Sequence, residues 1–109
     1  MAYDESLAVR IRDALARTRN IQEKKMFGGV GFLLNGNMLV GVWKNSLIAR
    51  LGPEDGDAAL LEDFVMEFDI TGKPMRGRVM VVTEGLEDDD QLGGWIERAM
   101  KFVKTLPAK

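Results

Sequence analysis

Three closely spaced glycines are the first residues in this chain that could do chemistry. Gly28, Gly29 and Gly31 invite comparison with the loops whose backbone amides cradle phosphate groups. Such a loop opens a helix, whereas residues 32–34 are apolar and Asn35-Gly36 is a strong hairpin signal. We therefore interpret the glycines as a close backbone approach or a β-bulge, and we expect no cofactor there.

A run of acidic residues is the second candidate. Asp88, Asp89 and Asp90 follow Glu84 and Glu87, and their oxygens could hold a hard cation. The spacing lacks the alternation of a calcium-binding loop, and acids are favoured at a helix N-terminus. We interpret the run as the start of a helix and expect no metal site.

A cluster of basic residues is the third candidate. Lys73, Arg76 and Arg78 lie within six positions of one another, beside a predicted turn. They could contact an anion or a partner, or they could form a solvated edge strand whose charges prevent aggregation. We carry them forward as the candidate anion or partner contact.

The chain contains neither histidine nor cysteine. This excludes disulfides, thiolate or imidazole metal sites, cysteine nucleophiles and histidine general bases. We therefore expect no catalytic residues and a protein that is not an enzyme. A carboxylate-based enzyme or a small-ligand binder stays open as an alternative.

The net charge of −2 conceals two opposed halves. Residues 1–50 carry eight basic and four acidic side chains, whereas residues 51–109 carry seven basic and thirteen acidic ones. This balance excludes a broadly basic nucleic-acid-binding domain. Nucleic-acid association through basic residues of the first half remains an alternative.

Periodicity predicts the elements that position these residues. Asp4 is the expected N-cap of a first amphipathic helix, and Asn20 follows its end. The predicted order is α-β-β-β-α-β-β-α, a two-layer α+β fold with an antiparallel sheet packed by helices. Helices are expected over 5–18 and 57–64, and the apolar face of a last helix runs over 92–106. Strands are expected over 25–34, 38–43, 47–51, 67–70 and 78–83.

Length and composition favour one domain over residues 1–109, with 46% hydrophobic and 29% charged residues. Asp4 and Glu5 stand where a secretory signal would be basic, and no apolar run approaches the roughly 20 residues of a membrane helix. We expect a cytoplasmic protein. A sheet face left open by the helices would be covered by a second chain, so we also expect a homodimer.

The run Lys25-Met26-Phe27-Gly28-Gly29 after an amphipathic helix resembles the N-terminal domain of the TfoX/Sxy family. The resemblance extends to the glycine turn and the strand that follows it, and to Trp95 in the last helix. The residues that carry it, which we expect to be structural, are Met26, Phe27, Gly28, Gly29, Gly31, Gly36 and Trp95.

The resemblance implies an α+β domain without catalytic residues. Full-length TfoX-like proteins regulate competence and DNA uptake, and they carry a second, C-terminal domain. We expect this chain to be a lone N-terminal-type domain, to which the role of two-domain members does not transfer directly. The leading hypothesis is a regulatory protein-interaction module with an unknown protein partner.

Overall fold

A computed structural model describes residues 3–26, 28–69, 72 and 76–109. Within these ranges the chain forms a six-stranded antiparallel sheet packed by three helices, which confirms the predicted α+β class. A 3₁₀ turn at Thr83–Gly85 precedes the last helix. The bounds are α1 Glu5–Ala14, β1 Ile21–Met26, β2 Gly29–Leu34, β3 Asn37–Trp43, β4 Ser46–Arg50, α2 Pro53–Ala59, β5 Val65–Glu67, β6 Arg78–Val81 and α3 Asp89–Val103.

The strands lie in the order β1-β2-β3-β4-β6-β5. The first four form an antiparallel meander, after which α2 leads the chain to the edge strand β5 and β6 returns between β5 and β4. This return brings together two strands that are distant in sequence. Their register sets Arg50 of β4 opposite Arg78 of β6.

The core lies between α1, α3 and one face of the sheet. α1 buries Leu7, Ala8 and Ile11, and α3 presents an apolar stripe that spans its length. Apolar residues from β2, β3, β4 and β6 complete one continuous cluster with both helices. The fully buried members of this cluster include Phe32, Leu39, Val40, Val42, Leu47, Leu51, Val79 and Val81.

The opposite face of the sheet is covered in part by the chain itself. Ile48 lies between two core-facing residues and so points to this face, yet it is fully buried. Trp43 and Phe68 meet edge to face, with ring centroids 6.4 Å apart. The chain itself therefore covers part of the sheet face on which we expected a second copy to bind, and the homodimer stays a prediction.

Three local sequence signals have the expected geometry. Asn35 and Gly36 both have positive φ (53° and 84°), as a type I′ hairpin turn requires. The Asp4 carboxylate accepts hydrogen bonds from the backbone amides of Ser6 and Leu7, which caps α1. Asn20 has the expected left-handed φ (63°), but α1 ends earlier, with Leu15 as its C-cap, so Asn20 lies in the connection to β1 and not at the end of the helix.

The acidic run forms a helix start. The Asp88 carboxylate accepts from the Gln91 backbone amide, and the Gln91 side chain accepts in return from the Asp88 amide, which is a capping box. Across the described ranges, no group of three or more acidic side chains is placed to hold a metal ion. Asp88 therefore caps α3, and Asp89 and Asp90 lie in its first turn, where acidic residues are favoured.

The structure adds one strand to the predicted order. The run expected as a single strand over 25–34 divides into β1 and β2, and β1 begins at Ile21. Residues 22–25 are exposed and polar or charged, so β1 lacks the alternation that identifies a strand. It lies at the sheet edge, where charged side chains discourage pairing with another chain.

The helix expected over 57–64 is displaced towards the N-terminus. Pro53 occupies its first position, where the fixed φ of proline suits a helix start, but α2 ends at Ala59. Leu61 and Phe64 are consequently exposed (90% and 48%) and do not cover the sheet. The helix α1, expected to reach residue 18, ends at Ala14. The strand expected over 67–70 lies at Val65–Glu67, and residue 70 is outside the described residues.

Among the described residues, no helix combines the length and the apolar composition that crossing a bilayer requires.

Candidate functional site

Two neighbouring arginines carry unbalanced positive charge. Arg50 and Arg78 are directly opposite each other on β4 and β6, and both are half-buried. Burial, and then the charge of Arg50, lower the pKa of Arg78 below its ordinary value. Among the residues that the structure describes, no acid forms an ion pair with either arginine.

These arginines form one end of a cleft. Arg50 and Arg78 line a cavity of about 170 Å³, which adjoins one of about 420 Å³. Both cavities are lined by Gly52, Pro53, Arg76 and Phe102, so they are parts of one cleft, which we call the arginine cleft. At its far end the lining includes Glu54 and Asp55.

Arg76 also lines the arginine cleft, but, unlike Arg50 and Arg78, it forms an ion pair among the described residues. Its guanidinium donates to the Asp57 carboxylate at 2.9 Å, and this bond with the charge of Asp57 raises the pKa of Arg76. The side chain is 70% exposed at the rim of the cleft, where its charge is already matched. Lys73, the third predicted basic contact, lies outside the described residues.

Close backbone packing fixes the shape of the cleft. The amides of Leu51 and Gly52 both donate to the Gly77 carbonyl oxygen, at 2.7 and 3.1 Å. Gly52 and Gly77 have φ of 87° and 90°, a region that favours glycine. On the other side, a Cβ built on Gly56 of α2 would lie 2.9 Å from the Gly77 Cα. Gly77, which joins Arg76 to Arg78 at the start of β6, is therefore held between the end of β4 and α2.

This contact predicts an unusual response to a helical Gly→Ala substitution. Gly56→Ala should lower the free energy of unfolding by about 2 kcal/mol, because the rigid Gly77 backbone leaves no space for a methyl group. A Cβ on Gly93 of α3 would meet nothing within 4 Å, so Gly93→Ala should raise the free energy of unfolding by roughly 0.5–1 kcal/mol. Urea unfolding of both variants measures the difference. Equal effects of the two substitutions would contradict the packing described.

The residues that carried the family resemblance lie elsewhere. A Cβ on Gly31 would lie 2.8 Å from the Met26 sulfur, so the Met26 side chain lies over this glycine. Gly28 has positive φ, Gly29 begins β2, and Gly36 is part of the hairpin turn. Trp95 is 8% exposed within α3, while Phe27 is outside the described residues. None of the described members lines the arginine cleft.

A second pocket, of about 290 Å³, lies between the segment 62–64 and the first half of α3. Arg98 donates to both carboxylate oxygens of Glu62, and its guanidinium carbon is 4.4 Å from the centre of the Trp95 ring. The other two carboxylates, of Asp63 and Asp90, form no ion pair within the described part of the chain. We call this the acidic aromatic pocket; its lining includes Glu62, Asp63, Phe64, Asp90, Trp95 and Arg98.

Phe64 is held at the rim of this pocket in a strained backbone conformation. Its φ of 69° is left-handed, which costs about 1–2 kcal/mol for a residue with a side chain. The Phe64 carbonyl accepts from the Val82 amide at 3.0 Å, and a Cβ on Gly85 would lie 3.0 Å from the Phe64 Cβ. Strain that places a large apolar side chain in solvent is typical of binding sites.

Sequence reasoning identified Arg76 and Arg78 but missed Arg50 and the acidic aromatic pocket. Arg50 lies in a predicted strand, and its relation to Arg78 depends on a strand pairing that no local pattern reveals. Phe64 was placed at the end of the helix expected over 57–64, whereas α2 ends at Ala59. The sequence signal that could have indicated the acidic aromatic pocket is Phe64, an aromatic residue that lies among the acidic residues of 62–67.

The comparisons with known proteins bear on nearly the whole chain. A family model, the TfoX N-terminal domain, matches residues 13–103. No curated protein matches the chain. The matched range contains all the residues that we have placed in the arginine cleft and the acidic aromatic pocket.

Proposed function

The chain belongs to the TfoX N-terminal domain family, and from this premise we propose that it is a non-catalytic protein-interaction module in a regulatory setting. The family supplies no catalytic residues, and the chain lacks histidine and cysteine. The cytoplasmic location expected from the sequence forms part of the proposal.

The acidic aromatic pocket is the observation that carries this proposal. Asp63 and Asp90, which form no ion pair with any residue that the structure describes, line this pocket together with Phe64 and Trp95, and the neighbouring Leu61 is 90% exposed. A lysine or arginine side chain can satisfy such a lining, because carboxylates bind its charge and aromatic rings attract cations. The partner that fits is therefore a protein segment with basic residues next to apolar ones.

The same charges make a second copy of this chain a poor occupant of the pocket. In a two-fold contact each surface meets itself, so Asp63 and Asp90 would face like charges. The homodimer, where it forms, would use the partly covered sheet face near Trp43. Sedimentation at tens of micromolar tests it, and a strict monomer would remove it from the proposal.

The nucleic-acid alternative has less support from the fold. Arg10 donates to Asp89 and Arg12 donates to Glu23, so two basic residues of the first half are matched by acids. The Arg10–Asp89 pair joins the basic half of the chain to the acidic half, whereas the Arg12–Glu23 pair lies within the basic half. This arrangement does not favour a basic face on α1.

A synthetic peptide with lysine and leucine at helical spacing tests the proposed partner chemistry. We expect saturable binding by calorimetry, weaker binding as salt rises, and none for the same peptide with glutamate in place of lysine. Asp63→Lys should weaken binding by about tenfold or more, which is about 1.4 kcal/mol. Asp13→Lys, an equal charge change on exposed α1, is the matched control. Equal weakening by both variants would contradict the pocket assignment.

Phe64→Asn separates binding from stability. Asparagine tolerates the left-handed backbone, so relief of strain should offset the lost burial of a half-exposed ring to within about 1 kcal/mol. Affinity for the lysine peptide should nevertheless fall severalfold, because the rim loses its ring. Thermal unfolding and calorimetry on the same samples check this. Unchanged affinity would argue against a role for Phe64.

A further inference from the structure

The arginine cleft has an energetic feature that the protein-interaction proposal leaves unexplained. Arg50 and Arg78 are both half-buried and directly opposed on neighbouring strands, and like charges at such positions destabilise a sheet. Asp57 and Glu67 line a smaller cavity of about 100 Å³ beside Arg78, yet neither forms an ion pair with it. Among the described residues, the arginine pair therefore lacks a counter-charge.

Charge is distributed unevenly along the cleft. Arg50 and Arg78 lie at one end, Pro53 and Phe102 form an apolar middle, and Glu54 and Asp55 lie at the other end. The guanidinium carbon of Arg50 also lies 5.8 Å from the centre of the Phe102 ring. A molecule that fits must have an anionic end, an apolar body and a cationic or hydrogen-bond-donating end.

The anionic end is better matched by a phosphate monoester than by a carboxylate. A phosphate monoester carries close to two negative charges near neutral pH, which balances two guanidinium groups. Planar guanidinium groups donate paired hydrogen bonds to phosphate oxygens, and this geometry favours arginine over lysine. The larger cavity, of about 420 Å³, falls within the range of small-molecule sites.

We propose that the arginine cleft binds a small phosphate monoester, with its phosphate between Arg50 and Arg78, its apolar body against Pro53 and Phe102, and a donor group near Glu54 and Asp55. The phosphate supplies the counter-charge that the described residues lack. The cleft and the acidic aromatic pocket share no lining residue, so this site is independent of the proposed protein-interaction function.

Three related probes test the assignment by calorimetry on the full chain. Phosphotyramine has all three parts, phenyl phosphate lacks the amine, and tyramine lacks the phosphate. We expect phosphotyramine to bind more tightly than phenyl phosphate, and tyramine to show no saturable binding. Arg78→Gln should weaken phosphotyramine roughly 10- to 100-fold, the effect of losing charged hydrogen bonds.

Control variants keep the test decisive. Arg17→Gln removes an exposed arginine that lines none of the cavities described, and should leave affinity unchanged. Arg50→Lys retains the charge without the planar geometry, and should weaken binding by less than Arg50→Gln. Asp63→Lys, which changes the acidic aromatic pocket, should not alter the affinity for phosphotyramine. Circular dichroism verifies that each variant is folded.

Several outcomes would overturn the proposal. These are no saturable binding of either phosphate at millimolar concentration, tyramine binding as tightly as its phosphate, and equal weakening by Arg17→Gln and Arg78→Gln. Single-stranded DNA that binds through Arg78 while the small phosphates do not would replace the proposal with nucleic-acid binding, recognised by its steep salt dependence.

Discussion

Phe32→Ala is expected to lower the free energy of unfolding by about 4 kcal/mol. Phe32 is 1% exposed and is the largest of the fully buried side chains in the core cluster. Its removal loses the transfer free energy of the ring and leaves a cavity between the sheet and the helices. Domains of this size have roughly 5–15 kcal/mol of stability, so one substitution removes a large share. Urea unfolding monitored by circular dichroism measures this loss in the free energy of unfolding.

Two controls identify the cause of this loss. Phe32→Leu keeps most of the volume and should cost less than about 1.5 kcal/mol. Phe64→Asn removes an aromatic ring at a half-exposed position and should change stability by at most about 1 kcal/mol. A loss for Phe32→Ala no greater than that for Phe64→Asn would show that Phe32 does not lie in the core.

The second large effect is expected at Gly52, where β4 leads into α2. Gly52→Ala should lower the free energy of unfolding by about 3 kcal/mol, because two costs combine. The φ of 87° is strained for alanine, and its Cβ would lie 2.5 Å from the Phe102 ring. Thermal and urea unfolding measure the loss.

A matched glycine separates the two costs. Gly28 has a similar φ of 78°, but a Cβ there meets nothing within 4 Å, so Gly28→Ala should cost only about 1–2 kcal/mol. In the background of Phe102→Ala, Gly52→Ala should also approach this smaller cost, because the clashing ring is gone. An undiminished effect in that background would show that the ring contact contributes nothing.

The elements predictable from sequence were those set by neighbouring residues. The turn at Asn35-Gly36, the cap at Asp4 and the apolar face of α3 follow from short-range geometry and hydrogen bonding. The α+β class follows from these signals, because amphipathic helices must bury their apolar faces against the sheet. The strand β1 escaped prediction because edge strands with charged side chains lack an alternating pattern.

The candidate sites were less predictable because distant segments build them. Arg50 and Arg78 meet only because β6 returns to pair with β4, and Phe102 reaches the same cleft from α3. The acidic aromatic pocket joins Phe64 to Asp90 and Trp95 in a similar way. The helix α3 thus contributes to both sites from different turns. Periodicity explains its buried face but not which flanking residues line a cavity.

Amide NMR of the labelled protein, titrated with the lysine peptide, tests the protein-interaction proposal most directly. The proposal predicts saturable shift changes confined to residues 61–66 and to α3 from Asp90 to Arg98, with the Trp95 indole signal among the largest. It also predicts that Asp63→Lys moves these changes to about tenfold higher peptide concentration or beyond, while Asp13→Lys leaves the titration unchanged. No shift changes at millimolar peptide, or changes centred on other surfaces, would contradict it.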